Sequence, residues 1–331
     1  MRAIFLAAVW SVSAVGHELT LGGHAGVLDR MGAGVAELGT GNTGTGREDA
    51  VPAAYWNPAL LAFSRYTAAA FGADIRSLSR NGGMICLQGR IAPNMGAGLG
   101  IINRGDFDFP VYDMNENYLG VARPQDIGFY LGVGVKTSRR NSFGSALQWY
   151  HSNKDIGGAA DINSIGIINV GWYRSWSTKF KTAAVLRNLG FNSSFSANYE
   201  FKAGQAQTEF AMDETGKDFF PKTLIAAGMY TFNIMKKDLD VFVEFLNFQL
   251  VDRIFDIDRD HHAVDMRMGT EFKLIDDTSF RAGYDRGNVC FGLGYHLKIR
   301  KKKKLQFDYA LILERFGTTL NPFAIGLRYE L

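Results

Sequence analysis

The densest cluster of metal-type ligands in the chain is Asp256-x-Asp258-x-Asp260-His261-His262. Hard carboxylates at alternate positions can wrap a calcium ion, but an EF-hand loop also needs a Gly and a distal Glu, and both are missing here. A charged surface loop is the simpler reading, a loosely held cation the sharper one, and no resident metal or cofactor is expected. Gly39-Thr40-Gly41-Asn42-Thr43-Gly44 matches G-x-G-x-x-G. A dinucleotide site needs a strand before that motif and a P-loop needs Lys-Ser/Thr after it; neither is present, which leaves a glycine-rich loop. Cys86 and Cys290 are the only cysteines, each within a strand-like stretch, so neither a disulfide framework nor a thiolate metal site is expected. Lys298 to Lys304 holds six basic residues in seven. Such a run suits anionic lipid, an acidic partner or simply a solvated turn. Ser and His residues pair across strand-like segments no better than by chance, so no catalytic residue and no enzyme are expected.

The elements that would position any site repeat with period two. Val264, Met266, Met268, Thr270 and Phe272 alternate with Asp265, Arg267, Gly269, Glu271 and Lys273. Phe280, Ala282 and Tyr284 oppose Arg281, Gly283 and Asp285, and Val289 to Leu297 oppose Cys290, Gly292, Gly294, His296 and Lys298. Such alternation gives each strand one apolar face and one polar or small face. The segments run about ten residues, the span of a tilted transmembrane strand, where soluble strands average about five or six.

The chain has 331 residues with 36 basic against 33 acidic, net +3, so no general affinity for nucleic acid follows. Gly is plentiful at 38 and Pro scarce at 7, with 13% aromatics, which suits many strands joined by tight turns. A mean hydropathy of −0.07 argues against a helical membrane protein and leaves a barrel open. Met1-Arg2, an uncharged apolar run and Ala14-Val15-Gly16 read as a secretory signal peptide over residues 1–16. No later run is long enough for a membrane helix. Export without a helical anchor leaves a secreted protein or the bacterial outer membrane.

Candidate strands begin near Tyr66, Met84, Met95, Ile127, Ser142, Asn163, Phe180, Thr223, Leu239, Val264, Thr278, Val289, Leu305 and Phe323. The predicted fold is all-β: a closed antiparallel transmembrane barrel of about 14 strands over residues 66–331, because an open edge in lipid would leave backbone groups unpaired. Phe323 to Leu331 alternates to the end, as a closing strand should. Turns near Ala92, Ser138, Ser177, Met235, Asp276 and Arg300 fall on one side, expected to be periplasmic. The longer connections Arg104–Asp126, Ser152–Ile162, Phe191–Lys222 and Asp252–Ala263 fall on the other, expected to be external. There Asp256, Asp258 and Asp260 would face lipopolysaccharide, and Phe191, Phe195, Tyr199, Phe201, Phe219 and Phe220 would form a hydrophobic docking surface.

Residues 17–65 have no strand to join and are predicted to form an N-terminal hatch or plug. Within them Pro58 fixes its own φ and pushes Asn57 out of the helical region, so Arg47–Phe63 reads as a short helix or coil stopped at Asn57-Pro58. Arg267, Glu271, Arg281, Asp285 and His296 share the polar face of adjacent strands. Charged side chains facing lipid cost roughly 2–4 kcal/mol at mid-depth, so these are expected to line the lumen as a network holding the hatch or a constriction.

Arg30-Met31-Gly32-Ala33-Gly34-Val35-Ala36, then Glu48-Asp49-Ala50, then Trp56-Asn57-Pro58-Ala59 resemble the N-terminal signature "MGGA…ADDA…WNPAGLA" of an outer-membrane family. That family includes PorV and PorQ of type IX secretion and is related to the fatty-acid transporter FadL. Leu60 stands where Gly is common, and Gly39–Gly46 is an insert. The resemblance implies a hatch motif at Asp49, Trp56, Asn57 and Pro58. It also implies a non-enzymatic secretion component that receives cargo beside a large translocon. The FadL relationship implies the alternative, a transporter of hydrophobic small molecules with a hydrophobic ligand. Few large apolar residues precede Tyr55, and this favours the secretion role.

Overall fold

The computed structural model describes residues 28, 31–76, 81–105, 109–112, 118–122, 125–153, 160–189, 193–199, 212–218, 222–234, 236–248, 263–275, 277–300, 303–314 and 323–330. The predicted leader over residues 1–16 and the Asp256, Asp258, Asp260 loop lie outside the described residues. So do Phe191, Phe201, Phe219 and Phe220.

In chain order the strands are β1 (Ala68–Ile75), β2 (Asn81–Ala92), β3 (Met95–Gly105), β4 (Phe109–Tyr112), β5 (Tyr118–Ala122), β6 (Gln125–Lys136), β7 (Asn141–Asn153), β8 (Ala160–Ser175) and β9 (Phe180–Leu189). They continue as β10 (Ser193–Tyr199), β11 (Met212–Asp218), β12 (Thr223–Ile234), β13 (Lys237–Phe248), β14 (Ala263–Ile275), β15 (Thr278–Asp285), β16 (Asn288–Arg300), β17 (Lys303–Leu313) and β18 (Phe323–Glu330). The ring β8-β7-β6-β3-β2-β1-β18-β17-β16-β15-β14-β13-β12-β9 returns to β8, a closed antiparallel barrel of 14 strands. β1 and β18 pair from Ala68↔Glu330 to Ile75↔Phe323, and β8 meets β9 from Ile168 to Ser175. Closure leaves the barrel no unpaired edge. No helix among the described residues is long and apolar enough to cross a membrane.

Each of these strands starts within a few residues of an expected position, because alternation is a local property of the chain. The connections differ more. Arg104–Asp126 is not a plain loop: β3 runs on to Gly105, and β4 and β5 form a separate hairpin. Phe191–Lys222 contains β10 and β11, which pair with each other and extend β8 beyond the barrel through Ser194↔Asn163 to Ala197↔Ala160. Phe195 and Tyr199 therefore lie on a strand. At the long-loop end one link is short: Arg286 and Gly287 join β15 to β16 with φ of 49° and 91°, the paired positive φ of a type I′ turn.

Outward positions carry the large apolar side chains: Phe71, Ile85, Leu131, Phe143, Phe291 and Ile325 are all exposed. The lumen is filled by the segment from Met31 to Ser64. Within it α1 (Val35–Gly39) follows Gly34, whose φ is 89°, and ends before Gly41, at φ 68°. A short α2 (Ala53–Trp56) precedes a 3-10 helix, Pro58–Phe63. The short α2 is thus stopped at Asn57, whose backbone is extended, as expected, and what was not expected is the 3-10 helix that starts directly at Pro58. Proline needs no partner for its missing N–H at a first helical position, and the Asn57 Oδ1 accepts from Ala59 N at 3.0 Å as the cap.

Candidate functional site

The luminal segment is the candidate site, since whatever crosses the barrel must displace it. Its two sides differ. Tyr55, Trp56, Leu60 and Leu61 are essentially fully buried against Met84, Ile102, Tyr130 and Tyr150 of β2, β3, β6 and β7. Burying such a side chain stabilises by about 1.5–3 kcal/mol. Tyr55 meets Trp56 and Tyr130 edge-on, at ring separations of 4.9 and 5.3 Å, the arrangement that the ring quadrupoles favour.

The other side is ionic. Arg47 of the segment reaches Glu271 of β14 at 2.5 Å, and Glu271 also takes Arg281 of β15 at 3.3 Å. Arg281 in turn reaches Asp308 of β17 at 2.7 Å. One turn away Asp285 accepts from Arg267 at 2.9 Å and from the Asn42 side chain at 2.5 Å. Glu244 of β13 accepts from Thr45 N at 2.7 Å. Buried charges persist only when paired and hydrogen-bonded, and here the pairing spans wall and segment. Burial lowers the affinity of Arg47 for its proton, yet Asp49 and Glu271 outweigh that and hold it well above its ordinary value. Burial pushes the Glu37 carboxyl of α1 up to about 7, with Arg47 opposing.

Main-chain groups of the segment are satisfied by wall side chains. Gln88 accepts from Ala53 N at 2.9 Å and donates to Ala50 O at 3.0 Å. Arg187 donates to Tyr55 O and Trp56 O at 2.9 and 3.2 Å, with its guanidinium 4.7 Å from the Tyr55 ring centre. Asn57 donates to Thr45 O at 3.0 Å and to Trp172 O at 3.2 Å. Ser142 donates to Ala59 O at 2.8 Å. Arg104 pairs with Asp74 and donates to Gly32 O at 3.0 Å.

Close approach is made possible by inward glycines. A Cβ on Gly144 would overlap the main chain of Pro58 and Ala59, and one on Gly283 or Gly269 that of Thr40. Glycine inside a strand often marks such an approach of another backbone.

Of the residues singled out from sequence, Trp56, Asn57 and Pro58 are buried against the wall, while the Asp49 side chain is 57% exposed and pairs with Arg47 at 2.9 Å. Arg267, Glu271, Arg281 and Asp285 come together on the ionic side. His296 shares their inward face without a side-chain ion pair or hydrogen bond among the described residues. Gly39–Gly44 follows a helix, α1, and is packed on β14 to β16. Among the described residues no group of His, Cys, Asp or Glu could hold a metal. Both cysteines are buried free thiols. Sequence reasoning passed over Gln88, Arg104, Arg187, Glu244 and Asp308; each sits an even number of residues from an inward small or polar position, and that parity was the available signal.

A closed barrel whose lumen is stoppered by a folded segment tied to its wall is a plugged-pore architecture. No protein-family model and no curated protein matches the chain. Among solved structures it is similar to the toluene transporter TbuX of Ralstonia pickettii, at 13% identity and a TM-score of 0.60, over 92% of this chain and 99% of that one. It is also similar to the monoaromatic hydrocarbon channel CymD (13%, TM-score 0.59, 91% and 97% covered). A FadL homologue of Pseudomonas aeruginosa is alike too (11%, TM-score 0.59, 90% and 98% covered). The chain has the fold of these barrels.

Proposed function

We propose that the protein is an outer-membrane barrel that transports small hydrophobic molecules, with the segment from Met31 to Ser64 as its hatch. The observation that carries this reading is the fold correspondence over nearly the whole of both chains with hydrocarbon transporters and channels. The outward belt of exposed apolar side chains supports residence in a membrane. The short turns then face the periplasm. Transport requires the hatch to shift from its apolar seat on β2, β3, β6 and β7, where a hydrophobic molecule would find Tyr130, Ile102 and Met84 in place of Trp56 and Leu61. This apolar half answers the scarcity of large apolar residues before Tyr55: the lining comes from Tyr55 onward and from the strands.

The test is uptake of labelled toluene and of a long-chain fatty acid by cells carrying or lacking the gene. Slower uptake without it, restored by the intact gene, is expected for at least one probe; equal uptake of both overturns the transport reading. Type IX secretion is the second reading, favoured by the burial of the Trp56-Asn57-Pro58 motif that carries the PorV and PorQ resemblance. Co-purification in mild detergent with a very large translocon barrel, or with secreted proteins sharing a C-terminal domain, is its expected result.

A further inference from the structure

On the outer face of the barrel, one arc of the short-turn rim carries cations with no carboxylate partner among the described residues. The β6–β7 and β8–β9 hairpins are neighbours in the barrel and hold carboxylates only at their long-loop ends, Asp126 and Asp161. Their short turns bring together Arg139, Arg140, Arg174 and Lys179, and the adjoining β2–β3 hairpin has no carboxylate at all. Elsewhere the rim is mixed: Glu330 faces Lys304 in the ladder, and Asp238, Asp240 and Asp277 sit at the same level. The segment's Glu48 approaches the arc only from the lumen, where Lys181 and the Tyr173 hydroxyl take it.

Arg174 points outward, because its neighbour Tyr173 is buried toward the segment and successive strand residues take opposite faces. Its guanidinium carbon lies 3.8 Å from the ring centre of Trp176. The Trp176 indole N–H donates to Thr182 Oγ1 at 2.8 Å, which pins the ring across the outer wall, and Arg140 donates to Trp176 O at 3.2 Å. Among the described residues the Arg174 guanidinium has no hydrogen bond or ion pair besides this stacking. A guanidinium stacked on an aromatic face keeps its planar fork of N–H donors free, and that fork matches a phosphate bidentately. The ladder sets what lies beneath. Val135, Phe143 and Trp172 are directly opposed across β6, β7 and β8 and form an outward apolar row. One row nearer the turns stand Asn141, Arg174 and Thr182. Beyond them Arg139, Arg140 and Lys179 are exposed in the turns. Apolar, then hydrogen-bonding, then cationic is the order of acyl chain, ester and phosphate along a phospholipid standing in a leaflet.

We propose that this arc is a binding site for an anionic glycerophospholipid of the leaflet around the short turns, its phosphate held by Arg174 and Arg140 beside Trp176. Arg139 and Lys179 add positive field, and the acyl chains lie along Val135, Phe143 and Trp172. The apolar row selects lipid over a soluble polyanion, which would leave the exposed Val135, Phe143 and Trp176 with nothing to cover them. Basic residues beside a bilayer attract anionic lipid, and aromatic rings at the interface fix the level at which it is met. The inference requires a barrel embedded in a membrane and does not depend on what the barrel carries.

The test uses the full chain in non-ionic detergent and native mass spectrometry, which counts the lipids retained as phosphatidylglycerol or phosphatidylcholine of equal chain length is added. The parent should retain phosphatidylglycerol about tenfold more strongly than phosphatidylcholine. Arg140→Gln/Arg174→Gln should abolish most of that preference and leave phosphatidylcholine unchanged, each cation near an anionic surface being worth about fivefold. Lys236→Gln/Lys303→Gln removes the same charge from the rest of the rim and should bind as the parent does. Heat-modifiable gel migration should be the same in all three forms. Equal retention of the two lipids by the parent overturns the proposal. So do equal losses in the two double variants, which would reduce the effect to the net charge of the rim. Displacement of phosphatidylglycerol by millimolar inorganic phosphate would also overturn it, by assigning the fork to a free anion.

Discussion

Gly134→Ala tests whether the hatch is held by backbone contact. Gly134 faces the lumen on β6, and a Cβ there would lie 2.5 Å from Pro58 O, 2.7 Å from Ala62 N and 3.2 Å from the Leu61 Cβ. Ordinary carbon contacts sit at about 3.5–4.0 Å, so the 3-10 helix must retreat by roughly 1 Å, and a gap of that size forfeits a quarter to a half of each dispersion contact it opens. The obstructing atoms are main chain on both sides, so no rotamer change relieves the clash, and overpacking of this kind costs about 1–3 kcal/mol. Gly228→Ala is the matched control: it has nothing within 4 Å, and removing glycine from a strand interior should gain about 0.5–1 kcal/mol. Two measurements separate hatch from barrel. Limited proteolysis at the segment's Arg47 should accelerate in Gly134→Ala and not in Gly228→Ala. Heat-modifiable migration should survive in both, because the ladder is untouched. Equal proteolysis of the two variants would refute close packing as what seats the hatch.

Three further outcomes follow from the ties between segment and wall. Among the described residues, Arg281→Met leaves the buried Asp308 with Gln306 alone and Glu271 with Arg47 alone, and it should lower barrel stability by about 3–5 kcal/mol, read from denaturant midpoints in detergent; adding Asp308→Asn should recover part of the loss. Burial raises Glu37 from 4.5 to about 7, so its contribution is complete below the lower value and is lost as pH rises through the upper one. The segment should therefore resist protease better near about pH 5 than near about pH 8, a difference on the order of 3 kcal/mol, and Glu37→Gln should flatten that dependence. Asn57→Ala removes a helix cap and two side-chain donors and should loosen the segment by about 1–3 kcal/mol, whereas Asn57→Asp, which can still cap Ala59, should fall between. Proteolytic half-times of the three Asn57 forms check the order.

The apolar seat of the luminal segment is not legible in the sequence for a physical reason. The stretch before Tyr55 is small and polar, so the hatch looked unsuited to hydrophobic cargo. Its apolar seat is supplied by Tyr55 to Leu61 and by Met84, Ile102 and Tyr130 from strands far away in the chain. Asn57-Pro58 has the local signature of a stop and α2 does end there, but that Gly134, Gly144 and Gly171 leave room for a 3-10 helix directly after it is not a local property. The aromatic run from Phe191 looked like a loop because its strand β10 is short and finds its partner on β8, about thirty residues earlier, a pairing set by ladder geometry.

Composition and alternation alone determined a closed sheet of long strands, the starts of the barrel strands to within a few residues, and the inward face of Arg267, Glu271, Arg281 and Asp285, because which face a side chain takes in a strand depends only on its parity along the chain. Tertiary structure decided the rest: that Arg47 meets Glu271, that Gln88 and Arg187 hold the main chain of the hatch, and that glycines on β6, β7, β14 and β15 make room for it. Those contacts join residues separated by tens to hundreds of positions, and their geometry exists only once the barrel has closed around the segment.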